Sequence, residues 1–468
     1  MYDTVIIGAG MSGLAAGIRL AHYDQRVCIL ERHYTIGGLN SFYRLGGRDY
    51  DVGLHAVTNY SAKGTRKGPL ARILKQLRFR WEEFSLSEQI GSAIAFPGVK
   101  LSFTNDVRFL EAEVERCFPS EVDNFRGLLT KIADYDELDD ETFDLSTRQV
   151  LGEIFTEPLL IEMLLCPTMW YGNARERDMD WGQFCIMFRS IFLEGFARPL
   201  AGVRLILKKL IKRFRSLGGE LKLRAGVQQI RVEDDRAVGV VLDSGEQIEA
   251  KQVVSSAGFV ETMRLCDDIT EPDVTAAGQL SFAESICTLD CQPRDLGYQE
   301  TIVFFNDTAS FHWETPAELC DLRTGVICSP NNFAYGEAQE ALPEGTIRVS
   351  LLANFRRWNE LSEEDYPLEK LRWLDRCLES AVRFCPDFRS RVVATDMFTP
   401  KTIRRFTWHD NGAVYGAPKK RLDGATHLRN LFLCGSDQGF VGIIGAMVSG
   451  ISIANRLLVG GVPEPTVS

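Results

Sequence analysis

The order of apolar runs and turn residues at the start of this chain predicts a strand, a turn, a helix and a second strand. Residues 2–7 (YDTVII) are mostly apolar, which predicts a buried strand, and they lead into a glycine-rich segment at residues 8–13 (GAGMSG). Small and apolar residues then follow at helical spacing, and residues 26–30 predict the next buried strand. This order predicts a parallel βαβ unit.

Similar patterns return twice later in the chain. In the middle they predict a helix at residues 203–217, strands at 221–223, 227–232 and 237–242, a hairpin turn at 243–246, and a strand that enters a glycine turn at 253–258. Near the end they predict a buried strand at 430–434, a turn at 435–437 and a helix at 444–458. One domain is therefore predicted to be assembled from separate stretches of the chain.

Two insertions separate these stretches. The first, residues 65–199, is predicted to be largely helical with an acidic loop at 134–144, and the second, 266–404, mixes strands at 301–305 and 346–354 with a helix at 366–384. We predict an α/β protein in which residues 1–64, 200–265 and 405–468 form a Rossmann-like domain with a parallel sheet and a β-hairpin or meander. Residues 65–199 and 266–404 are predicted to form an inserted α+β substrate domain.

The first turn has the spacing of a dinucleotide site. Gly8 permits a tight turn, Gly10 lets the backbone approach a pyrophosphate, and Gly13 lets the helix pack closely on the strand. The start of the helix presents free N–H groups to the anion. Glu31 follows the second strand, 18 residues beyond Gly13, where an acid binds ribose hydroxyls. An acid at this position favours FAD or NAD over NADP.

Charge and cysteine content narrow the class of protein. The net charge of −11 argues against nucleic acid as a partner, because phosphate binding needs a basic surface. The N-terminal apolar run lacks the basic start of a secretory signal, and no window reaches ~18 consecutive apolar residues, so we expect a cytoplasmic protein without a spanning helix. The 12 cysteines show neither a CxxC pair nor Cys/His ligand spacing. They are predicted to be reduced and mostly buried, with no metal site.

Several motifs resemble the FAD-dependent superfamily of amine oxidases and carotenoid desaturases. They are residues 31–38 (ERHYTIGG), Ser41, residues 46–55 (GGRDYDVGLH), the strand end at 255–257 (SSA) and residues 431–437 (LFLCGSD). Within the superfamily, the D-x-G-x-H ending resembles the branch of carotenoid isomerases and retinol saturases more than the bacterial phytoene desaturases. The motifs stand in the family's order over the whole chain.

The resemblance implies a non-covalently bound FAD. Together with the dinucleotide motif it implies that the FAD contacts are Gly8, Gly10, Met11, Ser12, Gly13, Glu31, Arg32, Gly37, Gly38, Leu39, Asn40, Leu54, His55, Val227, Ala257, Gly435, Asp437, Gly442 and Ile443. The backbone at Val227 would contact adenine, and Asp437 would accept hydrogen bonds from the ribityl hydroxyls. The alternative for Asp437 is an aspartate that only shapes a turn.

Two residues are the candidates for catalysis. His55 is the candidate polar group near the flavin ring, and the alternative is a structural histidine bonded to the backbone. Phe440 stands where the family usually has glycine, so its ring would narrow the cavity beside the isoalloxazine. The chain also has Leu39-Asn40 where many relatives carry arginine, which removes a cation near the pyrophosphate.

Two apolar segments and one basic helix bear on the substrate. Residues 155–170 and 181–196 carry apolar side chains nearly all round a helix, which predicts either a buried core or a tunnel for a long isoprenoid chain. The helix at 203–217 combines an apolar stripe with six lysine and arginine residues at 204–215. It either docks on the inner face of an anionic membrane or packs on the nucleotide domain with a solvated basic face.

These observations favour an FAD-dependent oxidoreductase or isomerase that acts on a long apolar polyene or isoprenoid. Desaturation, saturation and cis-trans isomerisation all stay open, each by hydride exchange at flavin N5. An amine or protoporphyrinogen-type oxidase is the second enzyme hypothesis. A non-enzymatic prenyl-protein escort of the same fold is the third, and the intact glycines and Glu31 argue against it.

Overall fold

Two seven-stranded sheets organise the described part of the chain, which in this computed structural model comprises residues 1–53, 55–135 and 144–460. The first sheet contains β1 (Tyr2–Ile7), β2 (Val27–Glu31), β9 (Glu220–Leu223), β10 (Val227–Glu233), β11 (Arg236–Leu242), β12 (Gln247–Ser255) and β18 (Leu431–Leu433). The second contains β6 (Ser92–Phe96), β7 (Val99–Phe103), β13 (Ser281–Leu289), β14 (Ile302–Asn306), β15 (Thr324–Cys328), β16 (Gly345–Ala353) and β17 (Val392–Phe398).

Two further sheets of two strands each and thirteen α-helices lie in the described residues. The small sheets pair β3 (Phe42–Leu45) with β4 (Arg48–Asp51) and β5 (Leu86–Glu88) with β8 (Ala197–Pro199). The helices are α1 (Met11–Ala21), α2 (Pro69–Leu77), α3 (Val107–Cys117), α4 (Val122–Ala133), α5 (Thr147–Ile154), α6 (Pro158–Gly172), α7 (Trp181–Phe188), α8 (Val203–Ser216), α9 (Phe259–Leu265), α10 (Phe355–Glu360), α11 (Asp365–Ala381), α12 (Pro400–Thr407) and α13 (Gly442–Val459).

The first sheet has a parallel centre and an antiparallel edge. Its order is β10-β11-β12-β1-β2-β9, and β18 pairs with the end of β12. The strands β1, β2, β9, β12 and β18 run parallel to one another, whereas β10 and β11 form an antiparallel meander with β12. The Rossmann-like fold class predicted from the sequence is confirmed, and so is the hairpin or meander attached to the sheet.

The second sheet joins the two insertions. Its order is β17-β13-β16-β15-β14-β6-β7, and β14 and β6 are its parallel pair. The prediction of a largely helical segment at 65–199 missed β6 and β7, which pack into this sheet more than 200 residues away from β14 in the chain. The division of the chain into two domains by residue range stays a prediction.

The apolar segments at 155–170 and 181–196 build the core beside the second sheet. Helix α6 is apolar all round, and its residues from Met163 to Trp170 are almost entirely buried. Helix α7 ends at Phe188 and continues as a π-helical turn, Arg189–Leu193, so the helix predicted through residue 196 is too long. Most of this phenylalanine-rich surface therefore forms a close-packed core rather than a tunnel wall.

The basic helix α8 packs its apolar stripe against the first sheet's helical layer. Val203, Ile206, Leu207, Leu210 and Phe214 are buried in the core that contains α1 and α13. The exposed face carries lysine and arginine side chains. Since the apolar stripe is already covered, α8 offers a membrane only its basic face, and docking on an anionic membrane stays a prediction.

Helix α13 is long and apolar enough to span a membrane by length and composition, which the sequence pattern did not anticipate. Half of the residues in this window are buried within the protein, where α13 packs against α1 and α2. These contacts are those of a core helix of the nucleotide fold.

Candidate active site

One long cavity is lined by residues of both large sheets. At one end its walls come from the turn between β1 and α1, the end of β2, and the start of β10. At the other end they come from β13, β15, β16 and β17, together with the last residues of α6. The start of α13 lies along the same cavity. The fold therefore connects the dinucleotide turn to the second sheet through a continuous space.

The glycine turn shapes the first part of this cavity. Gly8 has a φ of +97°, which a residue with a side chain rarely adopts. A Cβ on Gly10 would meet no heavy atom within 4 Å, so the backbone here borders open space. A Cβ on Gly13 would lie 2.2 Å from the carbonyl oxygen of Gly8, which confirms that Gly13 permits close packing of helix on strand.

Two helices begin at the cavity. The N-cap residue of α1 is Gly10, which has no side chain, so the N–H groups of the first turn stay available to a ligand, and Met11 and Ser12 line the cavity. Gly442 and Ile443, at the start of α13, also line it. Both helix N-termini present partial positive charge to the space between them.

Glu31 lies at the end of β2 and lines the cavity. Its carboxylate accepts hydrogen bonds from the N–H groups of Ala9 and His33, each at 2.9 Å. Burial raises the pKa of Glu31, and these two N–H donors oppose that shift. Each oxygen keeps a second lone pair, so the carboxylate can still accept a ribose hydroxyl.

Aromatic side chains cover the far end of the cavity. Trp170, Tyr171, Phe282, Tyr415 and Phe440 all line it. The rings of Trp170 and Phe282 lie 5.1 Å apart, those of Phe282 and Tyr415 lie 5.7 Å apart, and the Tyr415 hydroxyl donates to the carbonyl oxygen of Trp170. These contacts hold the rings in place around an apolar space.

A buried polar group interrupts this apolar lining at His55. Its Nε2 atom lies 3.1 Å from the Ser350 hydroxyl and 3.4 Å from a carboxylate oxygen of Glu284. Glu284 is hydrogen-bonded in turn to the buried guanidinium of Arg348. In the antiparallel pair of β13 and β16, Glu284 lies opposite Ser350, and Arg348 is the diagonal neighbour on the same face.

The charges in this group balance within the pair of Glu284 and Arg348. Burial alone would raise the pKa of Glu284, but the Arg348 charge and the contact with His55 lower it to about 2. Burial lowers the pKa of His55 further than Glu284 raises it. Since Arg348 already neutralises the carboxylate, His55 stays a neutral imidazole at pH 7.

A second buried ion pair fixes the backbone at His55. Arg198 and Asp51 approach to 2.5 Å with both side chains 6% exposed, and Arg198 also donates to the carbonyl oxygen of His55 at 3.3 Å. The other oxygen of Asp51 accepts the N–H of Val203 at 3.2 Å, at the start of α8. The D-x-G-x-H segment is therefore held to α8 and to β8 through Asp51.

The residues around the glycine turn fit an FAD. The open space at Gly10 and the uncapped start of α1 suit a pyrophosphate, and the Glu31 carboxylate suits a ribose. The start of α13 and the apolar space beyond it suit a planar ring system.

A sequence model of the family described as flavin containing amine oxidoreductase matches residues 11–289, more than half of the chain. The chain belongs to this family. It is an FAD-dependent oxidoreductase with FAD as its cofactor.

Individual relatives are similar over nearly the whole chain. The chloroplastic prolycopene isomerase of Daucus carota is 23% identical over 97% of this chain and 80% of its own length. The all-trans-retinol 13,14-reductase of Danio rerio is 23% identical over 97% of this chain and 86% of its own length. These relatives agree with the predicted resemblance to the branch of carotenoid isomerases and retinol saturases.

Solved structures share the fold at lower identity. An oxidoreductase from Methanosarcina mazei superposes with a TM-score of 0.67 at 16% identity, covering 97% of this chain and 99% of its own. Putrescine oxidase bound to putrescine superposes with a TM-score of 0.65 at 16% identity, covering 98% of this chain and 99% of its own. At this identity the superpositions establish the fold alone.

Most of the residues assigned to FAD from the sequence line the cavity, and their contacts with the flavin stay predictions. Those that line it are Gly8, Gly10, Met11, Ser12, Glu31, Arg32, Gly38, Leu39, Asn40, His55, Val227, Ala257, Gly435, Gly442 and Ile443, together with the catalytic candidate Phe440. Gly13 and Gly37 lie behind the lining, where Gly37 donates its N–H to Ala9. Leu54 and part of the predicted acidic loop lie outside the described residues.

Asp437 is held by two remote loops, and its bond to the ribityl chain stays a prediction. Its side chain is buried beside the cavity, and its two oxygens accept the N–H groups of Ala417 and Phe259. Asp437 thus ties three loops together, and its neighbours Gly435 and Ser436 line the cavity. Each carboxylate oxygen keeps a second lone pair, so the turn-shaping role and a bond to the ribityl chain both stay open.

The sequence interpretation missed the partners of His55. Glu284 and Arg348 are the charged residues in two strands that are otherwise apolar or weakly polar, β13 (SFAESICTL) and β16 (GTIRVSLLA). A single charged residue in a strand that is predicted to be buried can be recognised from the sequence, and it indicates a partner because a buried charge needs one. Their pairing to each other depends on strand register, which the sequence does not give.

Proposed function

We propose that this oxidoreductase acts on a long apolar polyene or isoprenoid, by desaturation, saturation or cis-trans isomerisation. The observation that carries the proposal is the aromatic lining at the end of the cavity beyond the start of α13. An apolar chain gains free energy by leaving water for such a surface, and rigid rings offer it a defined path. The names of the relatives support this class, since they describe a prolycopene isomerase and a retinol reductase.

The charges in the cavity favour this substrate over an amine. Among the described lining residues the carboxylates are Glu31 and Glu284. Glu31 belongs to the ribose end, and Glu284 is neutralised by Arg348. An ammonium substrate would therefore find no uncompensated carboxylate at the apolar end. The same pairing engages Arg348, so a porphyrinogen carboxylate would have to compete with Glu284 for it.

FAD supplies hydride acceptance and donation at N5 of its ring. The protein's own residues orient the substrate and control the proton. The ionised carboxylate of Glu284 faces Nε2 of His55 and can only accept a hydrogen bond. In the neutral imidazole, Nε2 therefore carries the proton and Nδ1 keeps its lone pair. We assign His55 the role of a polar contact that can take up a proton at Nδ1, with Glu284 next to the resulting positive charge.

The remaining residues exclude water and set the shape of the space. Phe440 follows Gly439 in the turn before α13, and Phe440 and Val441 both line the cavity. We assign Phe440 the role of limiting which segment of the substrate reaches the ring, since the reacting atoms must approach to about 3 to 3.5 Å.

Anaerobic incubation of the FAD-loaded protein with all-trans and cis polyenes tests the proposal. Products are separated by chromatography with and without chemical reduction of the flavin, and the flavin spectrum is recorded in parallel. We expect a change in double-bond number or geometry for at least one long polyene and no flavin reduction by putrescine. Rapid flavin reduction by amines with no change in any polyene would overturn the proposal.

A further inference from the structure

Cys266, Asp268 and His427 form a compact cluster outside the cavity. Their ligand atoms, one thiol sulfur, one carboxylate oxygen and one imidazole nitrogen, all lie within 4.8 Å of one another. The Nε2 atom of His427 lies 3.0 Å from a carboxylate oxygen of Asp268. The fold brings these groups together from segments 159 residues apart, which is why ligand spacing along the sequence predicts no metal site.

From this geometry we infer that Cys266, Asp268 and His427 bind a zinc ion. Thiolate, imidazole and carboxylate are the three side-chain ligands of zinc, with bonds of about 2.0 to 2.3 Å. Tetrahedral bonds of that length separate neighbouring ligand atoms by about 3.3 to 3.6 Å. The cluster needs only small side-chain movements to reach such an arrangement, and a water would complete the coordination.

The backbone on the Cys266 side is fixed in advance. Cys266 directly follows α9 and donates its N–H to the carbonyl oxygen of Met263, and the N–H of Asp267 bonds to the carbonyl oxygen of Ile230 in β10. The Asp267 carboxylate accepts the N–H of Val232. Asp267, which lies between the two ligands in the chain, is therefore bonded to the sheet. The ligands on either side of Asp267 therefore start from an ordered segment.

The His427 side is also anchored. Leu428 is buried, and the Thr426 hydroxyl accepts the Leu428 N–H and donates to the carbonyl oxygen of Leu431. The imidazole thus stands on a loop that is fixed to the start of β18. A zinc ion here would join the end of α9 to the strand that follows this loop.

Burial and charge are matched to a cation. Cys266 is 2% exposed, whereas the side chains of Asp268 and His427 are 35% and 34% exposed, which leaves a path for an ion to enter. The carboxylate of Asp268 and the thiolate that Cys266 would form on binding the ion supply two negative charges. A divalent ion would take the place of the thiol proton, which is released to solvent.

The alternative is a simple ion pair between Asp268 and His427, beside a thiol that donates to the carbonyl oxygen of Thr262 at 3.4 Å. In that case the cysteine contributes nothing to metal affinity. The two alternatives differ in whether metal binding depends on all three side chains.

Zinc binding is measured on the FAD-loaded protein after chelator treatment and dialysis. We expect one zinc per chain by elemental analysis after gel filtration, and a higher melting temperature with zinc. We expect zinc binding to weaken by at least about 10-fold to 100-fold in each of three variants, Cys266→Ser, Asp268→Asn and His427→Gln. Loss of a residue that only supports a metal ligand already has an effect of this size. Cys291→Ser, which removes a half-buried thiol elsewhere, should bind zinc like the wild type.

Cobalt gives a readout that is independent of stability. Cobalt(II) with a thiolate ligand in a tetrahedral site absorbs at longer wavelengths than the flavin, and this band should disappear in Cys266→Ser and persist in Cys291→Ser. Asp268→Asn and His427→Gln alter exposed side chains, so they keep the test valid if Cys266→Ser fails to fold. Substoichiometric zinc in the wild type, or affinity that is equal in all folded variants, would overturn the inference.

Discussion

At the scale of single residues, Glu284 balances the charge of a buried arginine next to the substrate end of the cavity. Glu284→Gln removes the negative charge opposite Arg348 without changing the shape of the side chain. We expect a loss of about 3 to 5 kcal/mol in the free energy of unfolding, the usual cost of breaking a buried pair. Urea denaturation measures it, and the double variant Glu284→Gln with Arg348→Met should recover part of the loss. Equal stability of wild type and Glu284→Gln would contradict the role of the pair.

The same residue predicts how stability depends on pH. The pKa of Glu284 is about 2 in the folded protein and 4.5 without the fold. A lowered carboxyl pKa contributes stability that is fully present above pH 4.5 and is lost as the pH falls from there towards 2. Melting temperatures recorded from pH 7 downwards should fall more steeply below pH 4.5 in the wild type than in Glu284→Gln.

Phe440 is expected to limit the substrate range through the volume of its ring. Phe440→Ala should open the cavity near the ring, broaden the set of polyenes that are converted and leave the flavin content unchanged. Turnover of a series of polyenes that differ in length and geometry measures this. Phe109→Ala, which alters an exposed phenylalanine of α3, is the matched control. An identical substrate range for Phe440→Ala and wild type would mean that the ring does not limit access.

At the scale of elements, a substitution in the turn between β1 and α1 should abolish FAD binding while the protein still folds. The Cβ of Gly10→Val would point into open space, so the protein should fold normally. The branched side chain would occupy the space that the pyrophosphate needs, and we expect purified protein without flavin. Gly152→Val, at a helical glycine that also has open space around it, should keep its flavin. A yellow, folded Gly10→Val protein would place the pyrophosphate elsewhere.

Helix α8 can attract a membrane only through its charges. Its exposed cations Lys208, Lys212 and Arg215 supply about 1 kcal/mol each near an anionic surface, which is weak and sensitive to salt. We expect slight sedimentation with anionic vesicles at low salt, none with neutral vesicles, and none for Lys208→Glu with Lys212→Glu. The control reverses two exposed lysines elsewhere, Lys131 and Lys419. Strong binding that survives high salt would show that another surface inserts into the lipid.

Elements with strong local signals could be predicted from the sequence, and elements defined by distant pairing could not. The β1 strand was predicted at its observed bounds, because a mostly apolar run ends there in the glycine turn. The short strands β6 and β7 were missed, because five residues beside long helical patterns carry little periodic signal and their partner β14 is remote in sequence.

The same contrast holds in the site. Gly8, Gly10 and Glu31 were found because the dinucleotide turn is a local motif with fixed spacing. The pairing of Glu284 with Arg348 and the bonds of Asp437 to two remote loops depend on tertiary contacts. The family resemblance names Asp437 as a flavin contact but says nothing of its bonds to Ala417 and Phe259.

At the scale of the whole molecule, the cavity links two sheets that are built from interleaved segments of the chain, so FAD should stabilise the entire fold. FAD at 1,000 times its dissociation constant adds about 4 kcal/mol to the free energy of unfolding when it binds only the folded state. We expect the flavin-free protein to melt several degrees below the reconstituted protein, with one shared transition for tryptophan fluorescence and circular dichroism. Gly10→Val should melt like the flavin-free wild type and should not respond to added FAD. Separate transitions, with only one shifted by FAD, would mean that the two sheets unfold independently and that the cavity does not couple them.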